Sequence, residues 1–132
     1  MYGKKFKTFG SYSFQDSGLR ALRISRHVRT IGERAFSCCG NLRALKFSKN
    51  AQLEEICEGA FLGTPLREFV APASLKVLCA GAFCGGGVLG RAVLNEGLEI
   101  LGQGTVSDDD SLFQGVFENS GLEEVDLPST LR

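Results

Sequence analysis

The chain repeats itself, and that periodicity restricts its possible folds more than any other feature. Five segments open on an apolar residue and a Gly or Cys, then run to a Phe. They are Phe9-Gly10 to Phe14, Ile31-Gly32 to Phe36, Ile56-Cys57 to Phe61, Leu78-Cys79 to Phe83, and Leu101-Gly102 to Phe117. A small or short residue precedes each Phe: Ser13, Ala35, Ala60, Ala82 and Val116. A polar or Gly-rich link then leads to an apolar triplet spaced three, then two. The triplets are Leu19-Leu22-Ile24, Leu42-Leu45-Phe47, Leu66-Phe69-Ala71, Leu89-Ala92-Leu94 and Leu122-Val125-Leu127. After a polar turn comes one more apolar residue: Val28, Leu53, Leu75, Leu98 and Leu131. The Phe intervals are 22, 25, 22 and 34, the last being a repeat of 23 plus an insertion of 11. Stacked repeats hold their core positions fixed and put length changes into loops, so this unevenness fits an array.

A single repeat of this size cannot bury its own apolar face, whereas stacked neighbours bury a continuous core. The sequence therefore predicts a solenoid of short parallel strands, stacked into an elongated, curved right-handed coil with little helix. Each triplet ends in alternation, which suits a short strand, and successive strands are expected to pair into one long parallel sheet. A second short strand or extended piece is expected around Val28 to Ile31, with a tight turn at Gly32. The Phe and Leu columns should each form a ladder in the core. Repeats fall near 8–30, 31–55, 56–77, 78–100 and 101–132, with the insertion around 105–115 and the last repeat incomplete. Neither end shows a polar cap, so further flanking repeats are expected.

The 15 basic and 15 acidic residues cancel, which argues against a nucleic-acid partner. The charge is uneven, with residues 1–50 mostly basic and 96–126 acidic. No apolar run is long enough to cross a membrane, and MYGKKFKTFG lacks the apolar stretch of a signal peptide. Location is left open. Seventeen Gly suit a chain that turns several times per repeat.

Little here suggests catalysis or a cofactor, and the chain is read as non-enzymatic. His27, the one histidine, falls in the turn between Ile24 and Val28, a solvent position without a visible partner. No cysteine shares a register with it, so a Cys–His nucleophile is not expected. Cys38, Cys39, Cys57, Cys79 and Cys84 show no metal or redox spacing. Cys57 and Cys79 share one repeat position in adjacent coils and are read as reduced small residues, a disulfide or metal pair being the alternative. Asp108, Asp109 and Asp110 lack the alternation of a calcium loop, so residues 105–115 read as a solvated loop with Leu112 and Phe113 tucked in. Gly85-Gly86-Gly87 lacks the Lys-Ser/Thr ending of a phosphate loop and reads as a permissive link.

The register I-G-x-x-A-F, a link, then L-x-x-L-x-L-P-x-x-L resembles the BspA-like leucine-rich repeats of the Treponema pallidum type. Ile31 to Phe47 and Gly121 to Leu131 carry it best, the second with the family's Pro at Pro128. Cys39, three residues past Phe36, stands where that family often has Cys. The resemblance spans residue 8 to 132. Ser25, Ser48 and Asn95 replace the Pro, Ala71-Pro72 reads as displacing it by one position, and Cys57 and Cys79 replace Gly. The resemblance implies a leucine-rich repeat solenoid and a surface or host-interaction role in some members. It supplies no catalytic residues.

The function expected is a protein–protein interaction scaffold with a protein partner; the alternative is a purely structural or spacer array in a longer protein. Alternation about the strand puts Leu22 and Ile24 inward and their neighbours outward. Two exposed columns follow: Arg23, Lys46, Val70, Val93, Asp126, and Ala21, Ala44, Glu68, Arg91, Glu124. Val70 and Val93 would form an apolar contact with charged edges, the usual interface layout.

Overall fold

Each coil of the chain contributes two short strands, on opposite sides of the core. The computed structural model describes residues 8–103, 115–117 and 119–129. Most of the insertion, with Asp108 to Asp110, Leu112 and Phe113, lies outside the described residues, as does Leu131. On one side, β1 (Thr8–Phe9), β3 (Thr30–Ile31), β5 (Glu55–Ile56), β7 (Val77–Cys79) and β9 (Ile100–Gln103) form a five-stranded parallel sheet. On the other lie β2 (Ala21–Ile24), β4 (Ala44–Phe47), β6 (Glu68–Val70), β8 (Arg91–Val93) and β10 (Glu124–Asp126). The described residues contain no helix. The array is thus an elongated parallel-strand solenoid, as the repeats required.

The return segment takes the short-strand form that the sequence allowed. The extended piece expected near Val28 to Ile31 is a strand at Thr30–Ile31, and its equivalents build the longer of the sheets. Strands stay short because one inward side chain per pass fills the thin core: Ile31, Ile56 and Leu78 are each fully buried. Gly32 then turns the chain against the coil before it. Its N–H donates to Phe9 O at 2.7 Å, and a Cβ there would lie 2.7 Å from that oxygen. Glycine alone fits.

The turn into each Phe repeats its backbone as well as its sequence. The residue two before the Phe has positive φ in four coils (Tyr12, Arg34, Gly59, Gly81), as does the residue two after it in five (Asp16, Cys38, Gly63, Gly85, Asn119). This winding points alternate N–H groups at the next coil. Phe14, Phe36, Phe61 and Phe83 donate to the carbonyls of Ala35, Ala60, Ala82 and Val116 at 2.8–2.9 Å. The residue before the Phe is small because it is buried against the neighbouring coil while its carbonyl takes this bond: Ala35, Ala60 and Ala82 are fully buried.

The expected Phe ladder is a stack of five rings. Centroids from Phe14 through Phe36, Phe61 and Phe83 to Phe117 are 5.3, 5.5, 5.4 and 5.8 Å apart, with planes within 11° of parallel. The place of Phe117 in the stack fixes the insertion between β9 and that ring. Around the stack lie the triplet residues Ile24, Leu42, Leu66, Phe69 and Leu89, all buried.

The triplet strands do not form one long sheet. They pair as β2-β4 and as β6-β8-β10, with a seam between. Among the described residues, no backbone hydrogen bond crosses from β4 to β6. Pro72 is one cause. In the preceding pair, Ser48 N donates to Ile24 O at 2.9 Å just past the strand. At the same place in the next coil stands Pro72, which has no N–H. The reading of Ala71-Pro72 as displaced by one is corrected here. Val70 pairs with Val93 and Val93 with Asp126, so Pro72 aligns with Asn95 and Pro128, at the family's Pro position. The departure is Ala71, a small residue where Leu94 and Leu127 stand. Asn95 ties its turn to the coil before, its Nδ2 donating to Ala73 O and Leu75 O at 3.2 and 2.8 Å.

Candidate interaction surface

The ten residues of the two columns stand in register wherever the strands pair. Ala21 faces Ala44 and Arg23 faces Lys46. Beyond the seam, Glu68, Arg91 and Glu124 align, as do Val70, Val93 and Asp126. The columns therefore exist as two blocks. Burial follows the expected alternation from β2 to β8: Ile24, Phe69 and Ala92 are buried, while Arg23, Lys46, Glu68, Val70 and Arg91 are exposed. At β10 it fails, since Val125 and Leu127, expected inward, are exposed. Val70 is 48% exposed, but Val93 and Ala44 are half-buried, so the apolar contact offered to solvent is mostly that of Val70.

Arg91 binds its own neighbours. Its guanidinium lies 3.2 Å from Glu68 Oε2, 3.4 Å from Glu124 Oε1 and 3.7 Å from Asp126 Oδ2. Each pair is half-exposed and contributes at most about 1 kcal/mol. Together they join β6, β8 and β10 across their outer face. The signal was legible once the columns were written, since Glu68, Arg91 and Glu124 alternate in sign and opposite charges on facing strands attract.

The seam opens a groove of about 570 Å³, with Leu45, Lys46 and Phe47 on one wall and Glu68, Val70 and Pro72 on the other. Sequence reasoning missed it because the seam depends on which ladder bonds fail. A second groove, about 520 Å³, follows the ends of the opposite sheet and includes Glu33, Glu55, Cys57, Glu58 and Cys79. Cys57 and Cys79 are adjacent there, since Ile56 pairs with Leu78, and both are free thiols. Burial first, then the Glu55 carboxylate, pushes the Cys57 thiol up to about 12. Burial and the Glu55 and Glu58 charges push Cys79 up to about 11. Both stay protonated at neutral pH, and the thiol is the unreactive form. Among the described residues, no group of three or more Cys, His, Asp or Glu could hold a metal ion.

The remaining sequence candidates sit as follows. His27 is half-buried rather than out in solvent, and its backbone N–H donates to Ser25 Oγ at 3.1 Å. Gly85, Gly86 and Gly87 all have positive φ, the permissive link expected, and a Cβ at Gly86 would strike the Thr64 carbonyl. Cys39 is buried, with its thiol donating to Phe14 O of the coil before at 3.2 Å. No helix among the described residues is long and apolar enough to cross a membrane.

Stacked parallel coils, a Phe ladder and an outer strand face define a leucine-rich repeat solenoid, a fold that generally serves protein–protein interaction. The chain belongs to the BspA type leucine rich repeat region (six copies), which residues 2–89 match. Among solved structures it is similar to the T. pallidum leucine rich repeat protein TpLRR, at 26% identity and a TM-score of 0.71. That match covers 93% of this chain and 64% of TpLRR, so the chain spans somewhat under two thirds of that relative. It also matches the pneumococcal vaccine antigen PcpA at 18% identity and a TM-score of 0.42, over 100% of this chain and 45% of PcpA. No curated protein matches the chain.

Proposed function

We propose that the array is a non-enzymatic scaffold that holds a protein partner on the outer face of its triplet strands. The observation that carries this is Val70, a β-strand valine 48% exposed on that face, at the lip of the seam groove that Lys46 and Glu68 also line. An apolar centre with a polar rim is how protein interfaces are built. The spacer reading has one observation in its favour: Arg91, Glu68, Glu124 and Asp126 neutralise one another, as a face without a partner would.

The test is capture of partners by the full-length protein, compared with the Val70→Asp, Val93→Asp double variant. Capture should be lost while the circular dichroism spectrum and the melting temperature stay close to the parent's. Full capture by a folded double variant refutes docking at this face.

A further inference from the structure

The block of β2 and β4 carries a grid of six cations that no acid neutralises among the described residues. Arg43 N donates to Arg20 O at 3.0 Å, which sets Arg20 beside Arg43. Arg23 faces Lys46 within the ladder, and Arg26 and Lys49 each follow the paired Ile24 and Phe47 by two residues. Two like-charged pairs thus sit side by side on adjacent coils, about 4.8 Å apart as parallel strands dictate, and Arg26 and Lys49 add two more cations in the turns that follow. All six side chains are exposed, and none forms an ion pair among the described residues. The sequence offers them no local relief, since residues 17–32 and 34–53 contain no Asp or Glu. Like charges directly opposite on neighbouring strands destabilise a sheet. Beyond the seam the Arg23–Lys46 column continues as Val70, Val93 and Asp126, with no like-charged neighbours, and Glu68, Arg91 and Glu124 alternate in sign in the column of Ala21 and Ala44, so the unrelieved repulsion belongs to one half of the face only.

We infer that the β2–β4 face, together with the seam groove beside it, is a docking site for an acidic polypeptide segment that carries an apolar side chain next to its carboxylates. This rests on the protein-binding reading above and adds the chemistry of the partner. The cation grid accounts for the acids. The groove accounts for the apolar side chain, because the grid's edge at Lys46 is also a wall of that groove, with Phe47, Val70 and Pro72 lining it. A sulfated polysaccharide would supply charge but nothing to fill an apolar recess. A polypeptide can also meet the Phe47 carbonyl, whose ladder donor Pro72 cannot supply.

The test uses the whole chain and fluorescence anisotropy with three labelled probes. They are an oligo-glutamate peptide, the same peptide ending in leucine, and a heparin oligosaccharide. The leucine-ended peptide should bind most tightly, and its binding should weaken as salt rises. Arg23→Glu with Lys46→Glu, both at exposed positions, should weaken it by about tenfold or more while the fold is kept. Val70→Asp should remove the advantage of the leucine. Three outcomes overturn the inference: no peptide binding by the folded parent, binding indifferent to the charge reversal, or heparin binding with both peptides inert. If captured partners of the full-length protein are lost with Val70→Asp, Val93→Asp but kept with Arg23→Glu, Lys46→Glu, the acidic partner is refuted and the scaffold reading stands. If neither pair of substitutions affects capture, the scaffold reading falls as well.

Discussion

Phe61→Ala should be among the most damaging single changes in the chain. The ring is 1% exposed and lies at the middle of the stack, 5.5 Å from Phe36 and 5.4 Å from Phe83. Removing a buried Phe side chain typically costs about 3–5 kcal/mol, with the upper end reached where the surroundings cannot close in. Here they are held apart. Phe36 N is bonded to Ala60 O at 2.9 Å and Phe61 N to Ala82 O at 2.8 Å, so the backbone fixes the coil spacing on both sides of the hole. We expect about 4–5 kcal/mol, against about 5–15 kcal/mol for the whole stability of an ordinary domain. Phe14 is the internal control: it is 41% exposed and stacks on one in-line neighbour, Phe36 at 5.3 Å. Its partial burial limits Phe14→Ala to about 1–2 kcal/mol. Urea unfolding followed by far-ultraviolet circular dichroism measures both. The central variant should also show a lower slope with denaturant, because nearest-neighbour coupling between coils carries the cooperativity of a solenoid. A Phe14→Ala cost equal to or above that of Phe61→Ala refutes the stack as the organising core.

Other outcomes follow from single positions. Cys38 is exposed with φ 58° where Gly63 and Gly85 stand in the next coils, so Cys38→Gly should stabilise by about 0.5–1 kcal/mol, read from the same urea curves. Iodoacetamide at mildly alkaline pH should modify Cys38 well before Cys57 and Cys79, whose thiols are pushed up to about 12 and about 11; equal rates by mass spectrometry would contradict the protonated pair. Ser129 N donates to Glu96 Oε2 at 2.8 Å and its hydroxyl to Oε1, bonds that lower the carboxyl's pKa. A carboxyl held below its unfolded value stabilises the fold above that value and loses the effect as pH falls through the folded one. Protection of the Ser129 amide against hydrogen exchange should therefore drop on acidification below about pH 4, the ordinary carboxylate range. It should be low at every pH in Glu96→Gln.

The sequence carried the register of the array and most of its outer face. Ile31-Gly32 to Phe36 and its equivalents recur because their backbone turns, their buried Ala and their stacked Phe are local demands that each coil meets in the same way. Even Phe117, displaced by the insertion, was identifiable because Val116 precedes it and the Leu122 triplet follows. Strand alternation then gave most of the outward residues, although Ala44 and Val93 are half-buried and Val125, placed inward, is exposed. The basic grid was partly visible, as an excess of charge in residues 1–50, but pairing Arg20 with Arg43 and Arg23 with Lys46 required the ladder.

Tertiary structure decided where neighbouring coils bond and where they do not. The repeats alone predicted one continuous triplet sheet, and stacking produced two. Pro72 withholds an N–H from Phe47, and the β4 to β6 edge stays unpaired, opening the groove at Val70. Whether Arg91 is a free cation or the centre of three ion pairs likewise depended on side chains from three coils meeting within 4 Å. So did the pKa of Cys57, set by its burial and by the Glu55 carboxylate. Periodicity is a property of single coils and can be read along the chain; bonds, charge pairs and desolvation belong to adjacent coils and arise only when they stack.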